Sequence, residues 1–350
     1  MKSANTPAIL QALLAAVLFG ASAPLSKLLL GDVPPVLMAA FLYLGSGMGI
    51  ALIKLIQGAR SGSPREASLN RADFPWLAGA ILSGGFAAPI VLMFSLRNTP
   101  ASTASLLLNF EGVATTLIAF LVFKEAIGRR AWAAILAITL GSIFLSANFT
   151  GGWGLSLGAL GILLACVLWG VDNNFTRNIS GKDPLAIVAW KGLLAGSVSF
   201  FLALFLGNAL PAWLTILAIL LIGWVCYGFS TMLFIQSMRK LGAARTSALY
   251  ATAPLAGVIL SIFIFREFPS VLFLLAGVLM IGGAFLLINE QHHHFHLHSV
   301  LIHAHGHSHT DPEHGHDAQS GSHAHEHEHP AEQHEHEHMP DIHHRHDHED

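Results

Sequence analysis

Apolar runs of about twenty residues, separated by short polar interruptions, recur along the chain from Ala8 to Ile288. That is the length a helix needs to cross a ~30 Å hydrocarbon core. The pattern predicts ten spans, at roughly 8–30, 34–56, 74–96, 101–123, 130–148, 155–177, 184–206, 211–238, 243–265 and 269–289. Helices are expected because an open-ended segment in lipid must satisfy its own backbone amides, and the runs are too long and uniform for barrel strands. Small residues recur four apart, as in Gly45 and Gly49 and in Ala80, Gly84 and Ala88, the spacing that lets membrane helices pack closely. Pro24, Pro89 and Pro254 fall inside spans and predict kinks.

The spans come in two sets. With an offset of 142, residues 95–144 align without a gap on 237–286. Ser95, Arg97, Ala101, Ser105 and Leu107 then meet Ser237, Arg239, Ala243, Ser247 and Leu249, and Phe123-Lys124-Glu125 meets Phe265-Arg266-Glu267. A second, shifted match joins Phe19-Gly20 to Trp169-Gly170, Lys27 to Arg177 and Pro34 to Pro184. The chain therefore divides into a first five-helix repeat (1–148), a second (149–290) and a tail (291–350).

Five is odd, so successive repeats should enter the membrane from opposite sides, and the basic residues agree. Threading the ten spans puts thirteen Lys and Arg on one face, among them Lys54, Arg71, Lys124, Arg129, Arg130, Lys182 and Arg239, against Lys27, Arg97 and Arg266 on the other. Matched spans differ accordingly: span four ends in Lys124, Arg129 and Arg130, while its copy ends in Arg266 alone. The expected arrangement is an inverted repeat in the cytoplasmic membrane with both termini cytoplasmic, a design that recurs in transporters. Lys2, the apolar run and Ala21-Ser22-Ala23 imitate a secretory leader, but the run continues to Leu30 and reads as a retained helix.

With these residues in view, the chain resembles the EamA branch of the drug/metabolite transporter superfamily. The resemblance rests on the two five-helix repeats, on Leu106-Leu107-Leu108-Asn109-Phe110-Glu111 in span four, and on Phe-Lys/Arg-Glu closing spans four and nine. It covers about residues 8–290. It implies a basket of ten helices around a central cavity that opens alternately to each side, carrying small metabolites mostly outward.

Charge within the spans marks where chemistry is expected, because an ionisable group at mid-membrane costs at least ~2.5–3.5 kcal/mol on insertion scales. Glu111 lies mid-span, two residues from Asn109, where its repeat partner is Ala253. A carboxyl group there suits carrying a proton or meeting a cation, or serves as a hydrogen-bonded structural contact. Asp172, Asn173 and Asn174 in span six and Lys191 in span seven form a second cluster. Asp172 and Lys191 sit at similar depth, so they fit either a structural ion pair or an inner gate. Tyr250, near Thr252 and Pro254, is the best aromatic candidate for the cavity wall, ahead of Trp169, Trp190 and Trp224, while Lys27 and Arg97 read as interfacial side chains. Cys166 and Cys226 lie inside spans and read as buried apolar residues.

The last sixty residues are a different object. They hold all 22 histidines, twelve acidic residues and a single Arg, whereas residues 1–290 hold seventeen basic and nine acidic residues. His303, His305, His307 and His309, then His323, His325, His327 and His329, then His334, His336 and His338 alternate with small and acidic residues. This composition cannot bury a core and predicts a disordered cytoplasmic tail that binds Zn²⁺, Ni²⁺, Co²⁺ or Cu²⁺ through imidazole. No cofactor is required. Expected partners are a small-molecule substrate, the bilayer and metal ions at the tail, with a homodimer allowed and no nucleic acid.

A secondary exporter of small metabolites or drug-like compounds, coupled to protons, is therefore the leading expectation. A divalent transition-metal transporter with the tail as collector or sensor is the alternative, although the spans contain no histidine. No phosphate-binding Gly-rich loop and no nucleophile–base constellation supports an ATP-driven pump or an enzyme.

Overall fold

A computed structural model describes residues 6–59, 67–123, 128–148, 154–179, 181–241, 246, 249–250, 252–266 and 270–288, with four segments of the tail, 295–297, 301–308, 322–329 and 333–335. Among the described residues, seven helices are long and apolar enough to cross a membrane. They are α1 (Thr6–Leu29), α2 (Pro35–Gly58), α3 (Arg71–Arg97), α4 (Ala101–Phe123), α6 (Leu157–Asn178), α7 (Pro184–Phe205) and α8 (Trp213–Ser237). Three shorter apolar helices complete the bundle: α5 (Arg129–Ser146), α9 (Ala253–Phe265) and α10 (Val271–Ile288). Each coincides with a span predicted from the apolar pattern. Helix α9 is the second part of the span expected at 243–265: Thr246, Leu249 and Tyr250 ahead of it are helical as well, and Thr252 stands in a turn.

Polar residues set the helix starts. Asn70 and Asp73 close a capping box at the start of α3, with Asn70 Oδ1 accepting from Ala72 N (2.9 Å) and Asp73 Oδ2 from Asn70 N (2.7 Å). Asp183 caps α7, accepting from Leu185 N and Ala186 N at 2.9 and 3.2 Å, with Pro184 in the first turn where its missing N–H costs nothing. Ser156 caps α6 through Ala159 N. Asp183 also pairs with Lys54 of α2 at 2.7 Å, and Lys182 lies 3.6 Å from Asp73, so charges from α2, α3 and the α6–α7 turn meet at one end of the bundle.

The packing has an internal two-fold pattern. Helix α2 packs on α7, α5 on α10 and α4 on α9, while the contacts of α3 with α6 are matched by those of α8 with α1. Helices α2 and α7 run antiparallel: Gly47 faces Gly192 and Leu193, whereas Gly196 faces Ala40 and Leu44. Helices α5 and α10 cross in the same sense, Gly141 against Ala276 and Met280, and Gly283 against Ala134 and Ile138. Between Gly47 and Gly192 the contact is backbone against backbone. A Cβ at Gly192 would collide with Gly47, and Gly192→Val should cost about 1–3 kcal/mol, read as a fall in the melting temperature of the purified protein in detergent. Hydroxyls supply further cross-links, as Ser230 Oγ and Ser237 Oγ donate to Ala15 O and Ala8 O of α1, both at 2.8 Å.

A two-residue strand pair, Ala147–Asn148 with Gly154–Leu155, joins the halves. In the tail, the described segments pair as antiparallel strands, 301–308 with 322–329 and 295–297 with 333–335. The alternation that denies these residues a core is also the period-two pattern of a strand. The register sets His303 opposite His327, His305 opposite His325 and His307 opposite His323. His309, His336 and His338 lie outside the described residues.

Candidate functional site

Helix α4 is not continuous. It stops at Leu107 and resumes at Phe110, with Leu108 and Asn109 in a turn closed by Asn109 N donating to Leu106 O (3.1 Å) and Glu111 N to Leu108 O (3.1 Å). The break frees carbonyls in the bundle interior; the Cys166 thiol lies 3.7 Å from Leu107 O. Glu111 thus occupies the first turn of the second half-helix, where unpaired N–H groups and the helix dipole favour a carboxylate. In the second repeat a turn at Thr252 likewise precedes α9, and Ala253 stands where the first repeat has Glu111.

Glu111 has its partner on α6. Asn173 Nδ2 donates to Glu111 Oε1 at 2.9 Å and to Thr115 Oγ1 at 3.1 Å, and Thr115 Oγ1 donates in turn to Glu111 O at 2.8 Å. Asn174 ties the two helices together with bonds to Thr115 O (3.1 Å) and to Gly170 O in its own helix (2.8 Å). Asn173 is exposed while Asp172 and Asn174 on either side are buried, so the cluster opens on the Asn173 side.

One residue back, Asp172 forms an ion pair with Lys191 of α7, and its other oxygen accepts from Thr176 Oγ1 at 3.0 Å. The Asp172 side chain is 3% exposed and that of Lys191 20%. Both charges therefore depend on each other rather than on water. Asp172 reaches this depth because Gly84 of α3 has no side chain, and a Cβ there would overlap the carboxylate. Gly84 also offers its carbonyl to two buried donors, Tyr43 Oη of α2 at 2.7 Å and Trp169 Nε1 of α6 at 3.0 Å.

Aromatic rings continue from this polar cluster. Tyr43 lies 5.8 Å from Tyr227, Tyr227 5.9 Å from Phe19, Phe19 5.6 Å from Tyr250, and Tyr250 4.7 Å from Phe234, between ring centroids. Tyr250 also has its hydroxyl 3.5 Å from that of Ser230. The interior of the bundle thus has a charged, amide-rich side on α4, α6 and α7 and an aromatic side on α1, α2 and α8, with Tyr250 just ahead of α9.

The profile of the EamA-like transporter family matches residues 6–147 and again 156–289, one copy on each half of this bundle. The chain belongs to the EamA-like transporter family. It is also 27% identical over 288 residues to a protein of Methanothermobacter thermautotrophicus described as an uncharacterized transporter, covering 78% of this chain and 83% of that one. A protein of known crystal structure shares the fold, with a TM-score of 0.58 at 21% identity over 81% of this chain and 96% of the other. The protein is accordingly an integral, multi-pass membrane protein of a transporter family.

Within this EamA fold, Glu111, Asn173, Asp172 and Lys191 come together at one place, Asn109 lies in the helix break beside them, and Tyr250 belongs to the aromatic side. Lys27, expected at the interface, has defined partners there. Its ammonium donates to Leu96 O (2.7 Å) and Thr99 O, capping the carbonyl end of α3. A cation there complements the helix dipole, which a reading of charge and depth alone does not reveal. Thr115, Thr176 and Tyr43 are site residues that the apolar pattern did not single out. Thr115 and Thr176 each lie four residues beyond a charged position, Glu111 and Asp172, which was the available signal.

Proposed function

We propose that the protein is a secondary transporter that exports a small polar or amphipathic organic metabolite by alternating access, coupled to protons through Glu111. The observation that carries this reading is the Glu111–Asn173 contact across a broken helix, next to a buried ion pair and opposite a wall of aromatic rings. Transporter sites recur at broken helices near the membrane midplane, where half-helix termini and unwound backbone meet the substrate. A proton on Glu111 and a substrate group on the Asn173 side would compete for the same carboxyl oxygens, which couples the two by mutual exclusion.

The bundle is read as ten spans in two inverted five-helix repeats, 1–148 and 149–290. The antiparallel crossings of α2 with α7 and α5 with α10 support an axis in the membrane plane. The excess of basic residues at one end supports cytoplasmic termini and a location in the cytoplasmic membrane. The reading is tested in proteoliposomes with an imposed pH gradient, challenged with pools of amino acids, amines and aromatic metabolites. At least one pool should dissipate the gradient faster with the protein than without it; failure of every pool would oppose proton coupling.

A second reading, transport of a divalent transition metal, is favoured by the tail register that sets three histidine pairs opposite each other. Cells expressing the full chain should contain the same zinc, nickel and cobalt as cells expressing a chain ending at residue 290 if organic export is the function. A tail-dependent fall in any of these metals favours the second reading.

A further inference from the structure

Two π-helical turns interrupt the bundle, Ile81–Ala87 in α3 and Gly223–Phe229 in α8. They lie 142 residues apart, the offset that aligns 95–144 on 237–286, so at that offset they extend the repeat upstream of residue 95. A π turn holds one residue more than the α-helix it interrupts and leaves local carbonyls poorly served, which is why such turns concentrate at places that do a job. Proline explains only one of them: Pro89 follows the first turn by two residues, but Thr231 stands at the matching place after the second. The feature has been kept by position rather than by local sequence.

The two turns are in physical contact through one side chain. Tyr43 donates its hydroxyl to Gly84 O inside the first turn, while its ring lies 5.8 Å from that of Tyr227 inside the second. Each turn also meets a repeat-matched aromatic residue: Trp169 of α6 donates into the first at Gly84 O, and Phe19 of α1 rests edge-on against Tyr227 in the second. Gly84 touches the Asp172 carboxylate as well, so the first turn adjoins the Asp172–Lys191 pair.

We infer that the π turns of α3 and α8 are paired hinges and that Tyr43 is the positioning residue that makes them bend together. Loss of the Tyr43–Gly84 bond leaves the freed carbonyl with Trp169 alone and lets the first hinge relax independently of the second. The inference rests on the alternating-access reading above and adds to it which backbone segments move and what joins them.

The test uses the full chain in lipid, with Cys166→Ala and Cys226→Ala and spin labels on exposed residues, Phe94 of α3 with Leu214 of α8 at one end and Phe74 of α3 with Val122 of the neighbouring α4 at the other. Electron–electron resonance distances should show two populations for each pair. Tyr43→Phe keeps the ring against Tyr227 but removes the hydroxyl, and should change the ratio of the populations about fivefold, the effect of one hydrogen bond. Deleting Val225 restores α-helical geometry in the second turn with both flanks on their original faces, and should leave one population. Two populations whose ratio is unchanged in Tyr43→Phe overturn the inference, whatever happens to the melting temperature, because that outcome assigns Tyr43 to packing alone. A single population at both pairs before any substitution at Tyr43 contradicts alternating access itself and removes the inference with it.

Discussion

Lys191→Met should be among the most damaging single substitutions in the bundle, costing about 3–5 kcal/mol of stability, the usual penalty for stranding one member of a buried ion pair. Asp172 is enclosed by α6, α7 and the Gly84 turn of α3, and without Lys191 its Oδ2 loses its cation while Oδ1 keeps the Thr176 hydroxyl. The loss would appear as a fall of roughly 10 °C or more in melting temperature, and as poor recovery from the membrane. The companion variant decides what the pair is for. Combining Lys191→Met with Asp172→Asn removes both charges, and stability should return to within about 1 kcal/mol of the parent, because neutral replacement of a buried pair is often close to neutral. If transport stays absent in that stable double variant, the pair acts in the transport cycle; if transport returns with stability, the pair is structural.

Glu111→Gln should leave the fold intact and abolish proton-driven transport. The amide keeps an oxygen to accept from Asn173 Nδ2 and keeps the volume of the carboxyl, so the α4–α6 contact survives. What it loses is the ability to exchange a proton. Substrate exchange across a membrane without a pH gradient should therefore continue, while accumulation against a gradient falls by about 10²-fold or more, the scale on which a positioned proton carrier acts. Gradient-driven uptake that is unchanged in this variant rules Glu111 out as the carrier. Asn173→Leu tests the partner differently: it removes a hydrogen bond to the carboxyl and to Thr115, and should weaken both modes of transport together.

Much of the architecture was legible because the bilayer imposes its own ruler. Runs of about twenty apolar residues fix the spans within a few residues, and the offset repeat divides them into two sets. The Asp172–Lys191 pair was legible for the same reason, since two charges at equal depth on consecutive antiparallel helices have few other partners. The partner of Glu111 was not. Whether Asn173 or a neighbour faces α4 depends on the rotation of α6, which is set by Gly170 packing on Ala114 and Thr115. The break at Leu108–Asn109 was hidden as well, because neither Gly nor Pro marks it and the freed carbonyls find tertiary partners instead. The π turns carry no common local signal; Gly84 and Gly85 in one and Gly223 and Gly228 in the other are as easily read as packing glycines. Lys27 shows what counting charges by depth leaves out, since its partners are the carbonyls at the end of α3.

The central claim is that a proton and a substrate take turns at Glu111. It is tested most directly by a pH-sensitive dye inside liposomes carrying the full chain, with no imposed gradient, when a transported metabolite is added outside. Wild-type protein should move protons in the direction opposite to the substrate, and Glu111→Gln should move substrate by exchange with no change in internal pH. Equal proton movement in the two proteins, or substrate movement in wild type with no proton movement at all, would contradict it.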